Sequence, residues 1–520
     1  MHEILNYKSF SSNINKNLFN KMQNKSMDAK HTKYVKYYKK NDTFWGLGIE
    51  NELYLEFDKP VTIDDKFFLT RHRRERYSVD YYTNYKTENI KKMFEKIIKH
   101  VKDNDNDNDN DKDSSVIKLP LILNANSFIK TDCNNNSKTM YTKLCEPNTK
   151  FNGNTLFQDL LSDAYFIFTH NKEWLFDGDT IEFTTMNFYN NKLNNIINEL
   201  DDFKSNFISK LSSYQKKNKL FEEYGNIQFM SGNHPFAIHM TNLNNIAIFN
   251  NGTLHYNITL PTKLDKYDNI KDFKYFYDIH KSAIKIIQWF EPFLISVYNT
   301  PDIFSELNND GDEGLSVCFS KCSQRCAVSR YIGIGTYDTD LMKIGKILSV
   351  PVDDFDKCGN WWYKRFHETS GYNPLNDVGL DINFNKYKNH GIELRFFDHI
   401  TDLTMIKESF EFIIYLMDEI IESKRNILNP IYNNNWNNIV YNCMIYGKEY
   451  SLTPEEKMIY NKILNIDIEN DNIHDVYYEI FNKLKERHIN AYFSDLCLIK
   501  EKKNPDKIKK KYNRCFCQIS

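Results

Sequence analysis

The segment Trp45–Phe57 constrains the fold most, because apolar residues alternate along it. Such alternation predicts a β-strand, on which residues two apart share a face. Glu50, Glu52 and Glu56 then point to one side with Tyr54. Like charges on one strand face repel one another, so a hard divalent cation such as Mg²⁺ is their simplest partner. Scattered charge on a solvated face is the alternative. The opposite side is apolar and faces a core: Ile49, Leu53, Leu55 and Phe57.

Three further segments repeat this pattern of one apolar and one polar face. Their polar faces carry Glu182 in the first, His255 and Asn257 in the second, and Glu393 and Arg395 in the third. Antiparallel strands can present one such face to solvent or to a cleft. If the strands are neighbours, one sheet face collects glutamates, a histidine, an asparagine and an arginine. That set suits Mg²⁺ coordination and the charge of a transferred phosphoryl group.

The composition of the 520 residues excludes several classes of protein. A 41% apolar and 15% aromatic content can bury a sizeable core, and a formal net charge of −2 argues against a general polyanion binder. Ten cysteines in so long a chain do not indicate a disulfide scaffold. We find neither an apolar run of about 18 residues nor a signal-peptide core, and expect a cytoplasmic protein without a membrane partner. Heavy use of Asn, Lys, Ile and Tyr indicates an A/T-rich genome, and a viral origin is compatible with it.

Composition also divides the chain into regions. Residues 1–40 form a polar, basic N-terminal arm, and residues 41–425 contain the four strands. Within them, the acidic run 103–113 cannot bury apolar surface and is expected to be a disordered loop, not a calcium site. Residues 426–498 are mainly helical, and residues 499–520 form a basic tail.

Helical periodicity predicts three long amphipathic helices, over residues 186–211, 272–298 and 402–424. Pro292 is expected to kink or end the second of them. Together with the strands, these helices predict an α+β fold. A curved, mostly antiparallel sheet would collect the strands, with helices packed behind it and a helical C-terminal region.

Four short motifs also carry a resemblance to a known superfamily. In chain order they resemble those of the glutamine synthetase-like carboxylate–amine ligases, in particular the amidoligase and γ-glutamylcysteine synthetase branches. The resemblance covers roughly residues 41–425 and implies a catalytic antiparallel sheet with ATP and Mg²⁺ as cofactors. The motifs are Gly48-Ile-Glu-Asn-Glu52, Asp177-Gly-Asp-Thr-Ile-Glu182, His255-Tyr-Asn-Ile-Thr-Leu-Pro261 and Glu393-Leu-Arg-Phe-Phe-Asp398.

The resemblance implies a role for each matching residue. Glu50, Glu52, Glu182 and Glu393 would be metal ligands, and His255 would lie near the metal or the ATP phosphates.

The resemblance implies further contacts with the nucleotide and the substrate. Asn257 would contact the nucleotide, and Arg395 would hold the transferred phosphoryl group. The segment with Arg325 and Arg330 loosely resembles the arginine-bearing substrate region of the family. There, Arg325 would bind the cofactor and Arg330 would serve catalysis together with His255 and Arg395.

The reaction implied is the joining of a carboxylate to an amine. A carboxylate cannot expel oxide, so transfer of the γ-phosphoryl group of ATP first gives an acyl phosphate with a good leaving group. The carboxylate could belong to an amino acid, a peptide or a protein side chain. The substrate-selecting loops are unrecognisable, so the substrates and the oligomeric state stay open.

Two other readings of the chain remain. One is a catalytically inert scaffold or virion-type protein that keeps the strands without needing their ligands. The other is a nucleic-acid-binding protein that uses the arginines of residues 71–76 and the basic tail, although nucleic acid is the less favoured partner. The residues 71–76 could equally cover an anionic substrate or lie in solvent.

Smaller clusters have plain structural interpretations. Cys318, Cys322 and Cys326 would share one side of a helix, as part of a zinc site or, more usually, as free buried thiols. His234 and His239 are better explained as core histidines than as ligands.

Overall fold

The computed structural model describes about half of the chain. Several predicted features lie outside the described residues: the N-terminal arm, residues 71–76, the acidic run, Arg325, Arg330 and the basic tail. Described are residues 43–64, 99, 116–123, 156–177, 180–185, 192–218, 225–234, 237, 252–298, 300–301, 305, 317–323, 336–338, 382–384, 389–423, 427–428, 430 and 433–498.

Within these residues the chain forms thirteen β-strands. In chain order they are β1 (Thr43–Leu53), β2 (Leu55–Phe57), β3 (Val61–Asp64), β4 (Val116–Leu119), β5 (Ile122–Leu123), β6 (Trp174–Asp177), β7 (Thr180–Thr184), β8 (Ile227–Phe229), β9 (Leu254–Lys263), β10 (Val317–Phe319), β11 (Thr336–Asp338), β12 (Ile382–Phe384) and β13 (Ile392–Phe397).

The same residues contain nine α-helices, and a 3₁₀ turn, Gly447–Glu449, follows the sixth. The α-helices are α1 (Leu156–Leu160), α2 (Ala164–Thr169), α3 (Leu193–Asn218), α4 (Phe273–Val297), α5 (Leu403–Ser423), α6 (Asn434–Tyr446), α7 (Pro454–Leu464), α8 (Ile473–His488) and α9 (Tyr492–Cys497).

Six strands form the central sheet, in the order β12-β13-β9-β1-β7-β6. All pairings between them are antiparallel. The fold is therefore α+β, as the sequence predicts. The longest strand, β1, lies inside the sheet between β9 and β7, which makes its side chains central to either face.

One face of this sheet, the rear face, is covered by helices. Tyr256 on β9 stacks on Phe410 of α5, with ring centroids 4.4 Å apart, and its hydroxyl donates to the Ile406 carbonyl. The alternate residues of β1, such as Leu47 and Ile49, are fully buried. Each large apolar side chain buried in this way contributes about 1.5–3 kcal/mol. The other face, the front face, is then left for the polar side chains.

The apolar core is continuous from the sheet into the C-terminal helices. One cluster of buried side chains runs from Phe44 on β1 to Cys497 on α9. The helices after residue 425 therefore share the core of the sheet. The start of α7 carries a capping box, in which the Thr453 hydroxyl accepts from the Glu456 N–H and the Glu456 carboxylate accepts from the Thr453 N–H.

Helix α4 continues through Pro292 to Val297, so the proline does not end it. Proline has no N–H, and the Gln288 carbonyl loses its usual helical donor. The indole Nε1 of Trp436 on α6 donates to that carbonyl at 2.8 Å. The Tyr460 hydroxyl on α7 donates to the next carbonyl, that of Trp289, at 3.0 Å. Side chains of later helices thus complete the helix that the proline interrupts.

The other helix boundaries agree in part with the sequence pattern. Helix α5 matches the predicted 402–424, whereas α3 begins at Leu193 and extends to Asn218, seven residues beyond the predicted end. None of the helices in the described ranges has the length and apolarity that crossing a membrane requires.

Candidate metal centre

The central sheet brings the four predicted metal ligands onto one face. In the register of β1, Glu50 lies opposite His255 on β9, and Glu52 lies opposite Glu182 on β7. Residues that face each other in an antiparallel pair project to the same side. Glu393 joins them from β13, which pairs with the other edge of β9. Period-two alternation thus sends the carboxylates forward while the apolar residues between them enter the core.

Glu50, His255 and Glu393 form the first group, in which one ligand atom from each residue lies within 4.8 Å of the others. The His255 Nδ1 atom is 3.0 Å from a Glu50 carboxylate oxygen and 3.6 Å from a Glu393 carboxylate oxygen. All three side chains are almost completely buried. Removing two carboxylates from water is costly, so this group calls for a positive partner.

Glu52, Asp177 and Glu182 form the second group, again within 4.8 Å of one another. Asp177 ends β6 and lies opposite Thr180 across the hairpin, which carries it to the same face as Glu182. The Thr184 hydroxyl donates to Glu182 Oε1 at 2.7 Å.

His255 lies between the two groups. Its Nε2 atom is 2.9 Å from the Thr253 hydroxyl and 3.9 Å from a Glu52 carboxylate oxygen. The same hydroxyl donates to the other oxygen of Glu52. One ring nitrogen of His255 therefore faces the first group, and the other faces the second.

Two carboxylates of the second group, those of Glu182 and Asp177, have raised pKa values. Burial, then the negative charges of Glu50 and Glu52, raise the pKa of Glu182 to about 8. Burial and the charge of Glu52 also raise the pKa of Asp177, against the opposing charge of Arg395. Repulsion of this kind disappears when a cation binds among the carboxylates, so the group is poised to take one.

Arg395 places a positive charge beside both groups. It lies two residues beyond Glu393 on β13, and its guanidinium donates to Glu393 Oε1 at 3.2 Å. Its side chain is 15% exposed, compared with 0% for Glu393. A partly accessible guanidinium at the rim of the acidic groups can contact an anion that approaches them.

Asn257 extends the front face beyond the first group. It lies opposite Glu393 on β13 and opposite Gly48 on β1. Its side-chain oxygen is 2.8 Å from His390 Nε2. Asn257 and Arg395 therefore flank the acidic groups, and their predicted contacts with the nucleotide stay predictions.

Behind β1, Asn51 and Lys204 hold the strand in place. The Asn51 side chain points to the rear, where its amide donates to the Ile400 carbonyl at 3.2 Å. Lys204 of α3 donates to Asn51 Oδ1 at 3.2 Å and to the Thr401 carbonyl at 3.1 Å. Burial lowers the pKa of Lys204 to about 8. The segment between the two glutamates is thus tied to the residues after β13.

The donor set of both groups suits a divalent cation. Carboxylate oxygens are the ligands that Mg²⁺ prefers, and an imidazole is also accepted by Mn²⁺ and Zn²⁺. The two groups together offer five carboxylates and one imidazole. The first group could hold one ion and the second group another.

Not every predicted residue joins the site. Glu56 lies on β2, which pairs with β5 and β8 in a separate sheet, and its carboxylate accepts from Gln228 at 3.1 Å. The acidic face of the first segment therefore stops at two glutamates. Arg325 and Arg330 lie outside the described residues, so their predicted roles stay predictions.

The cysteine cluster does not have the predicted helical geometry. Cys318 lies on strand β10, and Cys322 lies in the bend that follows. Cys322 is a free, buried thiol, and burial raises its pKa to about 12. Cys326 lies outside the described residues. For His234, burial lowers the pKa to about 4, as expected for a core histidine.

Three residues of the site were not singled out from the sequence. Asp177 stands in the quoted motif Asp177–Glu182, but only the hairpin shows that it reaches Glu52. Thr253 immediately precedes strand β9, and its position two residues before His255 was the available signal. His390 precedes β13 and had no signal in the sequence.

A comparison with known proteins gives the chain a relative. No family model matches the sequence. A protein of Acanthamoeba polyphaga mimivirus, named "Uncharacterized protein R704", is 33% identical over 495 residues, which span 94% of this chain and 82% of the relative. The chain belongs to the same family. The relative comes from a mimivirus, which is compatible with a viral origin of this chain, and its name states no activity.

Proposed function

We propose that this chain is an ATP- and Mg²⁺-dependent carboxylate–amine ligase with a glutamine synthetase-like catalytic sheet. One observation carries the proposal. Two groups of metal-ligand side chains lie side by side on one antiparallel sheet face, with the partly exposed Arg395 paired to Glu393 beside them. Nucleotide-dependent phosphoryl transfer requires positioned cations and a positive charge near the transferred group, and the sheet offers residues for both.

The reaction would proceed in two balanced steps. A carboxylate oxygen of the substrate attacks the γ-phosphorus of ATP, and the bond to the ADP oxygen breaks, which leaves an acyl phosphate. The amine nitrogen then attacks the acyl carbon, inorganic phosphate departs with the bonding electron pair, and the nitrogen loses a proton. Bound Mg²⁺ would neutralise charge on the phosphate oxygens during the first step.

The residues of this chain have separate tasks in that scheme. Glu50, His255 and Glu393 would hold one cation, and the second group would hold another. Arg395 would contact the transferred phosphoryl group, because its guanidinium lies at the rim of both groups. The ion pair with Glu393 would orient the guanidinium before the substrate binds.

The first experiment is thermal unfolding with and without Mg²⁺-ATP, for the wild type and for Glu52→Gln. A ligand that binds only the folded chain raises the midpoint. We expect a Mg²⁺-dependent rise in the wild type that Glu52→Gln abolishes. Glu479→Gln, a substitution in the helical layer, is the matched control and should keep the rise.

A positive result leads to a screen of carboxylates and amines for ADP release. ADP release that requires both substrates would support the ligase. The absence of any midpoint shift in the wild type would contradict the proposal and favour an inert scaffold on the same sheet. Binding to generic DNA or RNA at low salt would instead favour the hypothesis of a nucleic-acid-binding protein.

A further inference from the structure

The amide of Asn257 is a buried donor on the front face of the sheet. The residue is 1% exposed, and its side-chain oxygen is engaged with His390. Within the part of the chain that the structure describes, its Nδ2 atom has no hydrogen-bond acceptor. The carboxylate of Glu393, its cross-strand neighbour, does not accept from it either. Burying an amide N–H without an acceptor costs free energy, so the position calls for a ligand atom.

His390 determines which way this amide points. A side-chain carbonyl oxygen can only accept, so His390 Nε2 must carry the hydrogen in their 2.8 Å contact. The hydrogen bond therefore holds the NH₂ group away from His390 and available to the face.

The backbone next to His390 is itself tightly fixed. The N–H of Gly391 donates to the Thr259 hydroxyl at 2.9 Å. A side chain at Gly391 would approach the Ile258 carbonyl oxygen to 2.3 Å, so β13 can enter the sheet this closely only with glycine there. His390 therefore has little freedom to leave Asn257.

We infer that His390 is a positioning residue that aims Asn257 Nδ2 at an anionic oxygen of a bound ligand. The inference rests on the proposed cation site. A cation held by Glu50, His255 and Glu393 would bring such an oxygen next to Asn257, which lies opposite Glu393 in the sheet. Phosphate and carboxylate oxygens share the required chemistry. A neutral donor beside a cation can bind an anion without itself binding the metal. A carboxylate at position 257 would instead compete with the anion for the metal.

Calorimetric titration of the purified full chain tests the inference with Mg²⁺ alone, Mg²⁺-ATP, inorganic phosphate with Mg²⁺, and succinate with Mg²⁺. In His390→Ala we expect anion affinity to fall roughly tenfold, the effect of losing one oriented hydrogen bond to a charged group. Affinity for Mg²⁺ alone should stay within about twofold, because the hydrogen bond of His390 goes to Asn257, which belongs to neither ligand group. His390→Gln retains a donor and should restore most of the anion affinity.

The variant Asn257→Asp should separate the affinity for Mg²⁺ from the affinity for anions more clearly. A second carboxylate opposite Glu393 should tighten Mg²⁺ binding and weaken anion binding, and a merely structural role for the residue would not move the two affinities in opposite directions. The stability control is His488→Gln, because His488 is also buried and its Nε2 is 2.9 Å from a Glu419 oxygen. That variant should lose stability without changing either affinity.

The outcomes separate this inference from the proposed function. Mg²⁺-ATP binding that is equal in the wild type and in His390→Ala would overturn the inference and leave the ligase proposal standing. If phosphate or succinate binds through Asn257 and His390 while ATP binds no better than phosphate, the inference holds and the ligase proposal fails. Equal losses in His390→Ala and His390→Gln, with Mg²⁺ affinity reduced as well, would show a structural role and overturn it.

Discussion

Buried acids occur both on the central sheet and among the C-terminal helices, and the two regions treat them in opposite ways. Glu182 on the sheet accepts one hydrogen bond, from Thr184, among several other carboxylates. Glu419 on α5 accepts from Arg487 at 3.0 Å and from His488 at 2.9 Å. Glu419 thus has an arginine and a histidine as hydrogen-bond partners, whereas the neighbours of Glu182 are other carboxylates.

The pKa directions follow from these surroundings. Burial and neighbouring charges raise the pKa of Glu182 to about 8. Burial also opposes the charge of Glu419, but hydrogen bonds from His488 and Arg487 outweigh it and keep its pKa below the usual value. Glu419 therefore stabilises the fold, while Glu182 is kept at a cost in stability. Proteins tolerate such a cost where a site requires it.

The largest expected effect is in the helices. Replacing Glu419 with Leu should lower the free energy of unfolding by about 3–5 kcal/mol, because it removes the buried carboxylate that Arg487 and His488 share. Urea denaturation measures the loss. Glu422→Gln is the control. Glu422 also lies near His488, 3.3 Å from its other ring nitrogen, but its side chain is half exposed. A loss below about 1 kcal/mol in Glu419→Leu would mean that the contacts of Glu419 contribute no more than ordinary surface ion pairs. The contrast between Glu419 and Glu182 would then disappear.

Magnesium alone should stabilise the sheet region. At a concentration one hundred times its Kd, one bound ion would raise the free energy of unfolding by about 2.7 kcal/mol. We expect Glu50→Gln to abolish this gain, because the first group loses a charged ligand. Glu479→Gln should keep it, and urea denaturation in Mg²⁺ and in EDTA gives the comparison. A gain of equal size in Glu50→Gln would place the ion elsewhere.

Without metal, the sheet should make stability fall as pH rises. Folded Glu182, with a pKa of about 8, binds its proton more tightly than the unfolded chain does. Its contribution is therefore complete below the unfolded pKa near 4.3 and is lost as pH rises towards 8. One such group changes stability by at most about 1.4 kcal/mol per pH unit. Glu182→Gln in EDTA should flatten the curve between pH 5 and about pH 8, and an unchanged slope would contradict the assignment.

Glu479 on α8 should make the free energy of unfolding depend on pH in the opposite direction, at acid pH. Glu479 is partly desolvated, but Lys483 and the backbone N–H groups of Glu469 and Asn470 lower its pKa to about 2. Its contribution is present above the unfolded pKa and is lost as pH falls towards 2. Glu479→Gln should cost about 1 kcal/mol at neutral pH and reduce the acid dependence. If denaturation curves of the variant and wild type coincide at pH 7, the carboxylate contributes nothing.

The strands of the central sheet were predictable because their pattern is local. Alternation of apolar and polar residues identified β1, β7, β9 and β13, and the same alternation placed Glu50, Glu52 and Glu182 on polar faces. Strand order was not readable, since it depends on contacts between segments more than a hundred residues apart. The partition of the ligands into two groups follows from that order.

Other features escaped the sequence for physical reasons. Glu56 follows the alternation of β1, but the chain leaves the central sheet after Leu53 and begins a separate one. Asp177 reaches Glu52 only through the register of the hairpin between β6 and β7. The contact of His390 with Asn257 spans 133 positions, and no local pattern reports it.

Pro292 has a consequence for the modularity of the chain. Its helix is completed by donors from Trp436 and Tyr460, both of which come after residue 425. Cutting the chain there would leave two main-chain oxygens in an apolar interior with no donor from these side chains. The sheet region and the later helices of two related proteins therefore cannot be recombined as independent units. A recombinant fragment that ends at residue 425 would be a poor surrogate for the whole, and insertions and deletions would be better tolerated elsewhere.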